Sequence, residues 1–191
     1  MAVEIIDFAA QPTAIDGLFI ITMKQVTDER GTVREFYRES SFIEAGLPSM
    51  GSFLQINATE TRLGGLRGLH AEDMVKLVAV VAGEAFGAYV DLRPQSPTRG
   101  ALVTTVSAPG TQVLVPRGVG NGFQVTGSGP CQYLYGFDQE WVPGMAGMAC
   151  GPLDPALGIR WPLPIDPTDR EQISEKDRDA PGFADLPGGE R

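Results

Sequence analysis

The chain has 191 residues, 42% of them hydrophobic, and carries 24 acidic against 15 basic side chains, a net charge of −9. This length predicts a single domain over residues 1–191, with a core at about 18–165 and a C-terminal tail at 166–191. The acidic balance argues against a nucleic-acid partner, the lack of a long apolar run argues against a membrane partner, and the lack of a signal-peptide pattern predicts a cytoplasmic protein.

The first predicted elements form a hairpin. Residues 18–23 are apolar and β-branched, and residues 32–38 alternate in polarity, so both predict strands. The charged segment 28–31 lies between them as a turn, which places Arg30 near the tip. An ordinary charged turn is the alternative interpretation of this segment.

A short helix and a polar strand follow. Residues 40–46 predict a helix that a serine caps at its start and that Gly46 ends. Residues 52–57 predict a strand on which Gln55 and Asn57 share one face, because side chains repeat with a period of two.

From residue 76 onward, short strands recur about every eight to twelve residues, separated by turns rich in glycine and proline. They are predicted at 76–82, 84–93, 101–107, 112–116, 122–126 and 131–137. Without long helices between them, this spacing predicts an all-β sandwich or barrel. Beyond residue 139 the periodicity fades, and we expect Trp141 and Trp161 to hold the tail against the barrel.

The segment 64–76 contains the only histidine of the chain, His70, with Arg67 before it and Lys76 after it. Imidazole titrates nearest neutrality, so His70 is the first candidate for a general base. The alternative is a lone histidine that is hydrogen-bonded on a strand. One histidine is too few for the usual metal sites of small β-barrels, so we expect no metal.

Several runs, in order along the chain, resemble the dTDP-4-dehydrorhamnose 3,5-epimerase family of cupin-type enzymes. These runs are 28–31, 66–70, 76–78, 90–93, 96–98, 115–118, 133–135, 154–162 and 174–177. The resemblance implies an all-β, cupin-type jelly-roll barrel with short peripheral helices and an irregular C-terminal tail.

The resemblance also implies roles for individual residues. His70 would be the base, Asp177 its carboxylate partner, Tyr135 the acid on the opposite face and Lys76 the cation near the substrate oxygen. Contacts to the nucleotide sugar are implied for Arg30, Glu35, Gln55, Asn57, Arg67 and Asn121. Tyr135 as a core aromatic and Asp177 as a solvated tail acid are the alternatives.

By the same resemblance, the enzyme would invert C3, C5 or both in a dTDP-4-keto-6-deoxyhexose, without a cofactor, during deoxysugar biosynthesis. The family is homodimeric, so the Arg30 hairpin could serve the neighbouring subunit. A 3,4-ketoisomerase and a non-catalytic sugar-nucleotide-binding paralogue are the alternatives.

The chain departs from the family pattern near the predicted site. Asn121 stands where the family usually has a second histidine, and Gly87 where it often has an acid. Thr32 and Val33 replace an aromatic pair, and Ala71 followed by Glu72 replaces an aromatic residue followed by glutamine. These departures favour a specialised enzyme that inverts a single centre.

Overall fold

The computed structural model describes residues 3–188 and is built almost entirely of antiparallel strands. Its strands are β1 Glu4–Ile6, β2 Ala9–Pro12, β3 Phe19–Thr22, β4 Lys24–Asp28, β5 Gly31–Glu35, β6 Gln55–Thr61, β7 Leu66–Glu72, β8 Lys76–Ala82, β9 Ala85–Asp91, β10 Leu102–Ser107, β11 Thr111–Val115, β12 Val119–Val125, β13 Cys131–Phe137 and β14 Gly147–Ala149. The helices are α1 Glu39–Glu44 and α2 Glu175–Arg178, and 3-10 turns lie at Met50–Ser52, Pro155–Leu157 and Phe183–Asp185. The predicted all-β fold is confirmed.

Two large sheets pack face to face around the main core. One has six strands in the order β2-β3-β11-β8-β13-β6, and the other has five in the order β10-β9-β12-β7-β14. Apolar side chains of alternating strand positions fill the space between them, since burying this surface is the main favourable term in folding. The ring of Phe123 on the five-stranded sheet stacks on Tyr133 of the six-stranded sheet, with centroids 4.0 Å apart.

A third sheet, of strands β1, β4 and β5, lies outside this core. Its register aligns Ile5, Val26 and Val33 in one row across the three strands. Ile5 is 59% exposed and Val33 is 71% exposed. We call Ile5, Val26 and Val33 the apolar row; within residues 3–188, no other element covers its two outer members.

The hairpin at residue 30 forms with a different first strand from the one predicted. β5 pairs with β4, whereas β3 pairs with β2 and β11 in the six-stranded sheet. The prediction missed β4 because its pattern of polar and apolar residues is mixed, so it did not stand out as a strand next to the apolar run of β3.

Two local predictions at the short helix and the following strand were wrong. Helix α1 begins after Arg38, and no side chain caps it, although Gly46 follows its end with the expected left-handed φ of 73°. Residues 50–52 form a 3-10 turn, because the hydroxyl of Ser49 accepts a hydrogen bond from the backbone of Gly51. The strand therefore starts only at Gln55.

The C-terminal tail lies against the five-stranded sheet. The backbone N–H of Leu66 donates to the carbonyl of Gln172 at 2.7 Å, and Leu186 is buried. Trp161 packs on Phe86 as expected, whereas Trp141 is half exposed. Cys131 and Cys150 are both free thiols. No helix in the described part of the chain is long and apolar enough to cross a membrane.

Candidate active site

A cavity of about 260 Å³ opens between the two large sheets. Its polar lining consists of Asn57, Arg67, His70, Glu72, Lys76 and Asn121. Its apolar and aromatic lining consists of Val78, Phe123, Tyr133, Tyr135, Phe137 and Trp141. A concave site with an aromatic wall and a few converging polar groups is typical of a small-molecule site.

His70 reaches this cavity from β7, between β12 and β14. Its Nε2 lies 2.7 Å from Oδ1 of Asp177, which is 107 residues away in sequence. An ionised carboxylate only accepts hydrogen bonds, so Nε2 carries the hydrogen and Nδ1 keeps the lone pair. The imidazole is thereby oriented and left with one basic nitrogen, and its side chain is 33% exposed.

Helix α2 holds Asp177 behind the histidine. Ser174 caps the helix by accepting from the backbone N–H of Asp177 at 3.1 Å, and the backbone N–H of Gly68 donates to Oδ2 at 3.3 Å. Burial raises the pKa of Asp177, but its hydrogen bonds, above all the one to His70, outweigh this, so the pKa lies below the ordinary value. Asp177 is therefore ionised near neutral pH.

Gly68 lets β7 pass close to β12 beside this pair. Its φ of 119° disfavours any side chain, and a Cβ here would lie 2.5 Å from Cα of Gly122. The strand register shifts between Asn121 and Phe123 at the same place. Glycine is thus required where the two strands approach each other.

Lys76 enters the cavity from β8, on the opposite sheet, and its side chain is only 5% exposed. Its Nζ donates to the carbonyl of His70 at 3.1 Å, to Oδ1 of Asn121 at 2.8 Å and to the carboxylate of Glu72. Burial lowers the pKa of Lys76, and the neighbouring Glu72 opposes this shift. Burial raises the pKa of Glu72, but the charge and hydrogen bond of Lys76 bring it below its ordinary value.

Tyr135 faces His70 from the other side of the cavity, because β13 belongs to the six-stranded sheet. Its hydroxyl lies 2.6 Å from the hydroxyl of Thr59 on β6. The rings of Tyr133 and Phe137 flank it along the strand, with centroids 6.1 Å and 5.2 Å away. The phenol is therefore held in place at the cavity, whereas Tyr133 is almost fully buried in the cavity wall.

Three predicted contact residues lie at this cavity or next to it. Nε of Arg67 donates to the hydroxyl of Thr61 at 2.9 Å, which leaves the rest of its guanidinium exposed. Gln55 donates to Asn57 at 3.1 Å and accepts from the backbone of Trp141 at 2.7 Å. Gln55 thus supports the cavity wall without lining it.

The structure does not bring Arg30 and Glu35 to this cavity. Both belong to the hairpin of the third sheet. Arg30 is 90% exposed and pairs with Asp28, and Glu35 pairs with Arg38. Within one chain, these two predicted contacts lie apart from the other eight.

The sequence prediction missed Glu72 as a site residue. It lies two residues after His70 on the same strand, and alternation along β7 would have placed both side chains on one face. Tyr133 and Phe137 were also missed as parts of the aromatic wall, although they alternate along β13 with the predicted Tyr135.

Gly87, one of the departures from the family pattern, lies on β9 and pairs with Phe123 of β12. The hydroxyl of Tyr89 lies 2.9 Å from where a Cβ on Gly87 would be. The tyrosine therefore fills the space that a larger residue at position 87 would need. Burial raises the pKa of Tyr89 to about 12, so this hydroxyl is neutral.

Among residues 3–188, no three histidine, cysteine or acidic side chains converge as metal ligands would.

Comparison with known proteins gives a consistent result. The dTDP-4-dehydrorhamnose 3,5-epimerase family profile matches residues 12–185. The chain is 37% identical over 179 residues to the dTDP-4-dehydrorhamnose 3,5-epimerase of Pseudomonas aeruginosa, covering 91% of this chain and 94% of that protein. It is 32% identical over 180 residues to a dTDP-4-dehydrorhamnose 3-epimerase of Streptomyces niveus. This match covers 89% of this chain and 81% of that protein.

A solved structure agrees. NovW, a 4-keto-6-deoxy sugar epimerase from the novobiocin biosynthetic gene cluster of Streptomyces spheroides, superposes with a TM-score of 0.84 at 30% identity. The match covers 96% of this chain and 92% of that one.

Proposed function

The chain belongs to the dTDP-4-dehydrorhamnose 3,5-epimerase family and is an isomerase, and we propose that it inverts C3, C5 or both in a dTDP-4-keto-6-deoxyhexose. One observation carries this proposal: the oriented His70–Asp177 pair and the hydroxyl of Tyr135 face each other across one cavity from different sheets.

The reaction needs a base and an acid on opposite sides of the sugar. A ketone at C4 acidifies the hydrogens on C3 and C5, because either carbanion delocalises into the same oxygen. Nδ1 of His70 takes the proton, and Asp177 stabilises the imidazolium that forms. Tyr135 then gives its proton to the other face of the carbon, and the centre is inverted.

The developing negative charge on the C4 oxygen requires a positive environment. Lys76 supplies the only buried cation of the described cavity lining, and preorganised charge of this kind stabilises an enolate without reorganisation. Redox chemistry is not needed, because the carbon gains and loses only a proton.

Arg67 is our candidate for binding the diphosphate. Its exposed guanidinium stands at the cavity, and the planar fork matches phosphate oxygens. Asn57 beside it offers an amide for the nucleotide sugar, and Gln55 holds that amide in position.

The stereochemistry and the carbonyl position of the product distinguish the proposed reaction from its alternatives. A single inversion is consistent with Asn121 and Gly87 in place of the family's histidine and acid, and relatives include a protein named as a 3-epimerase. A 3,4-ketoisomerase would use similar base chemistry but would leave C5 untouched. A non-catalytic binder would not need His70, Asp177 and Tyr135 together, and the chain keeps all three.

We also propose a homodimer that forms through the third sheet. The apolar row exposes Ile5 and Val33, and a second copy is the occupant that would cover both by symmetry. Arg30 and Glu35 lie on the same sheet and away from their own cavity, so a dimer would let them reach the partner's site. The cytoplasmic location stays a prediction.

The experiment that tests the reaction is proton NMR of the protein with dTDP-4-keto-6-deoxyglucose in heavy water. We expect deuterium to enter C3, C5 or both, and His70→Ala to abolish the exchange. Deuterium at one carbon identifies a single-centre epimerase, and a C3 ketone in the product identifies the ketoisomerase. Nucleotide binding without any exchange would contradict the epimerase and leave the non-catalytic binder.

A further inference from the structure

The ammonium group of Lys76 has no hydrogen left for a substrate. It carries three N–H donors and no acceptor. The three donors go to the carbonyl of His70, to Oδ1 of Asn121 and to the carboxylate of Glu72. While these contacts last, Lys76 stabilises the site by its charge but cannot donate directly to the C4 oxygen.

Asn121 presents the donors that Lys76 lacks. Only the amide oxygen can face an ammonium group, so the amide NH2 of Asn121 is turned away from Lys76. Asn121 lines the cavity, and among residues 3–188 its Nδ2 has no hydrogen-bond partner. It also lies directly across from His70 in the strand register, so its free N–H groups stand next to the candidate base.

Glu72 completes this arrangement. A lone buried ammonium group would lose its proton more readily, and an adjacent carboxylate favours the charged form. Glu72 provides that carboxylate at the end of β7, on the same sheet as Asn121. Lys76 is therefore kept charged and fixed against the amide oxygen.

We propose that Asn121 is a catalytic residue that donates an N–H to the C4 oxygen, and that Lys76 acts through it as a positioning residue. When His70 takes the proton from carbon, the electron pair of the broken C–H bond moves to the C4 oxygen. The N–H···O contact strengthens as this charge develops, and the ammonium polarises the amide from its oxygen side. The inference rests on the proposed epimerase function.

The test is the rate of deuterium exchange in variants of Asn121, with the affinity for dTDP measured by calorimetry. Asn121→Asp keeps an oxygen for Lys76 but loses both N–H donors, and Asn121→Ala loses the whole amide. We expect each to lower the exchange rate by about 10²- to 10³-fold, as for the loss of one oxyanion donor, with the affinity for dTDP within about two-fold. Gln95→Ala, an exposed amide in a loop, is the control and should exchange at the wild-type rate.

A second measurement separates a relay through Asn121 from independent contacts. If Lys76 acts through the amide, Lys76→Met should cost less than about three-fold in an Asn121→Ala background, because the group that Lys76 positions is then already absent. Additive losses would show that Lys76 acts on the oxygen by itself and would overturn the proposal.

Exchange in Asn121→Asp within about three-fold of wild type would also overturn it. If Asn121→Ala fails to bind dTDP, the test rests on Asn121→Asp, which preserves the size of the side chain. Absence of exchange in the wild-type protein would instead contradict the proposed function, so the two failures are distinguishable.

Discussion

At the scale of single residues, the candidate site depends on two charged side chains that are buried only because they are paired. Asp177 is satisfied by His70 and by the backbone N–H of Gly68, and Lys76 by Glu72 and two carbonyl-type oxygens. Burying an unpaired charge is costly, so each pair is a unit in which removing one member changes the other. Two predictions follow from this dependence.

Asp177→Asn should retain the fold and lose the reaction. An amide cannot stabilise an imidazolium, and it can hold the ring in the wrong tautomer. We expect deuterium exchange to fall by roughly 10²- to 10⁴-fold with little change in dTDP affinity. Asp179→Asn, an acid at the exposed end of the same helix, is the matched control. Wild-type exchange in Asp177→Asn would rule out the pair as the base.

Glu72→Gln should shift the pH dependence of exchange on its alkaline side. Burial lowers the pKa of Lys76, and the carboxylate of Glu72 limits this decrease. Without it the pKa falls further, so the ammonium loses its proton at a lower pH and activity is lost earlier as the pH rises. We therefore expect the alkaline limb to move to lower pH. Wild type and Glu72→Gln both keep Tyr135. An alkaline limb at the same pH in both proteins would therefore show that Lys76 does not determine it.

At the scale of elements, strand ends and the loops between them decide which side chains meet. The loop after β9 is organised by Asp91, which is fully buried. Its carboxylate accepts from Nη2 of Arg93 at 2.7 Å, from the hydroxyl of Ser96 at 2.5 Å and from that of Thr98 at 2.6 Å. Part of the family-like pattern around residues 90–98 is therefore explained by loop structure.

Asp91→Asn should destabilise the protein in a pH-dependent way. Burial raises the pKa of Asp91, but its hydrogen bonds overcome this and lower it to about 2. A pKa below the unfolded value of 3.8 stabilises the fold above that pH, and the contribution is lost as the pH falls toward about 2. We expect a loss of about 2 kcal/mol in urea unfolding at pH 7.

The same variant should differ less from wild type at pH 3, because wild-type Asp91 has by then lost part of its advantage. Asp7→Asn, which replaces an exposed acid, serves as the control and should change the unfolding free energy little at either pH. An equal loss at pH 7 and pH 3 would contradict the assigned cause.

At the scale of the whole molecule, the two large sheets enclose the cavity, whereas the third sheet leaves the apolar row open to solvent. Val33→Glu places a charge in the middle of the proposed dimer interface. We expect it to shift the mass in analytical ultracentrifugation from dimer toward monomer, and to weaken nucleotide binding if Arg30 serves the partner's site. Val106→Glu, at an exposed edge position of the five-stranded sheet, should leave the mass unchanged. A dimer unaffected by Val33→Glu would place the interface elsewhere.

The sequence by itself determined the all-β class, the strands from Lys76 to Phe137 and His70 as the central candidate. These depend on alternation and turn residues within a few positions, and such local preferences survive in the fold. The family resemblance named Asp177, Tyr135 and Lys76 as partners, but the residues alone could not show that they meet.

Only the tertiary structure decided how these groups are arranged. The pairing of His70 with Asp177 spans 107 residues and depends on where the tail docks, and the opposition of His70 and Tyr135 depends on which sheet each strand joins. The saturation of Lys76 by Glu72 and Asn121, and the distance of Arg30 from its own cavity, have the same origin. Long-range contacts are set by sheet order and packing, which no local pattern of the sequence encodes.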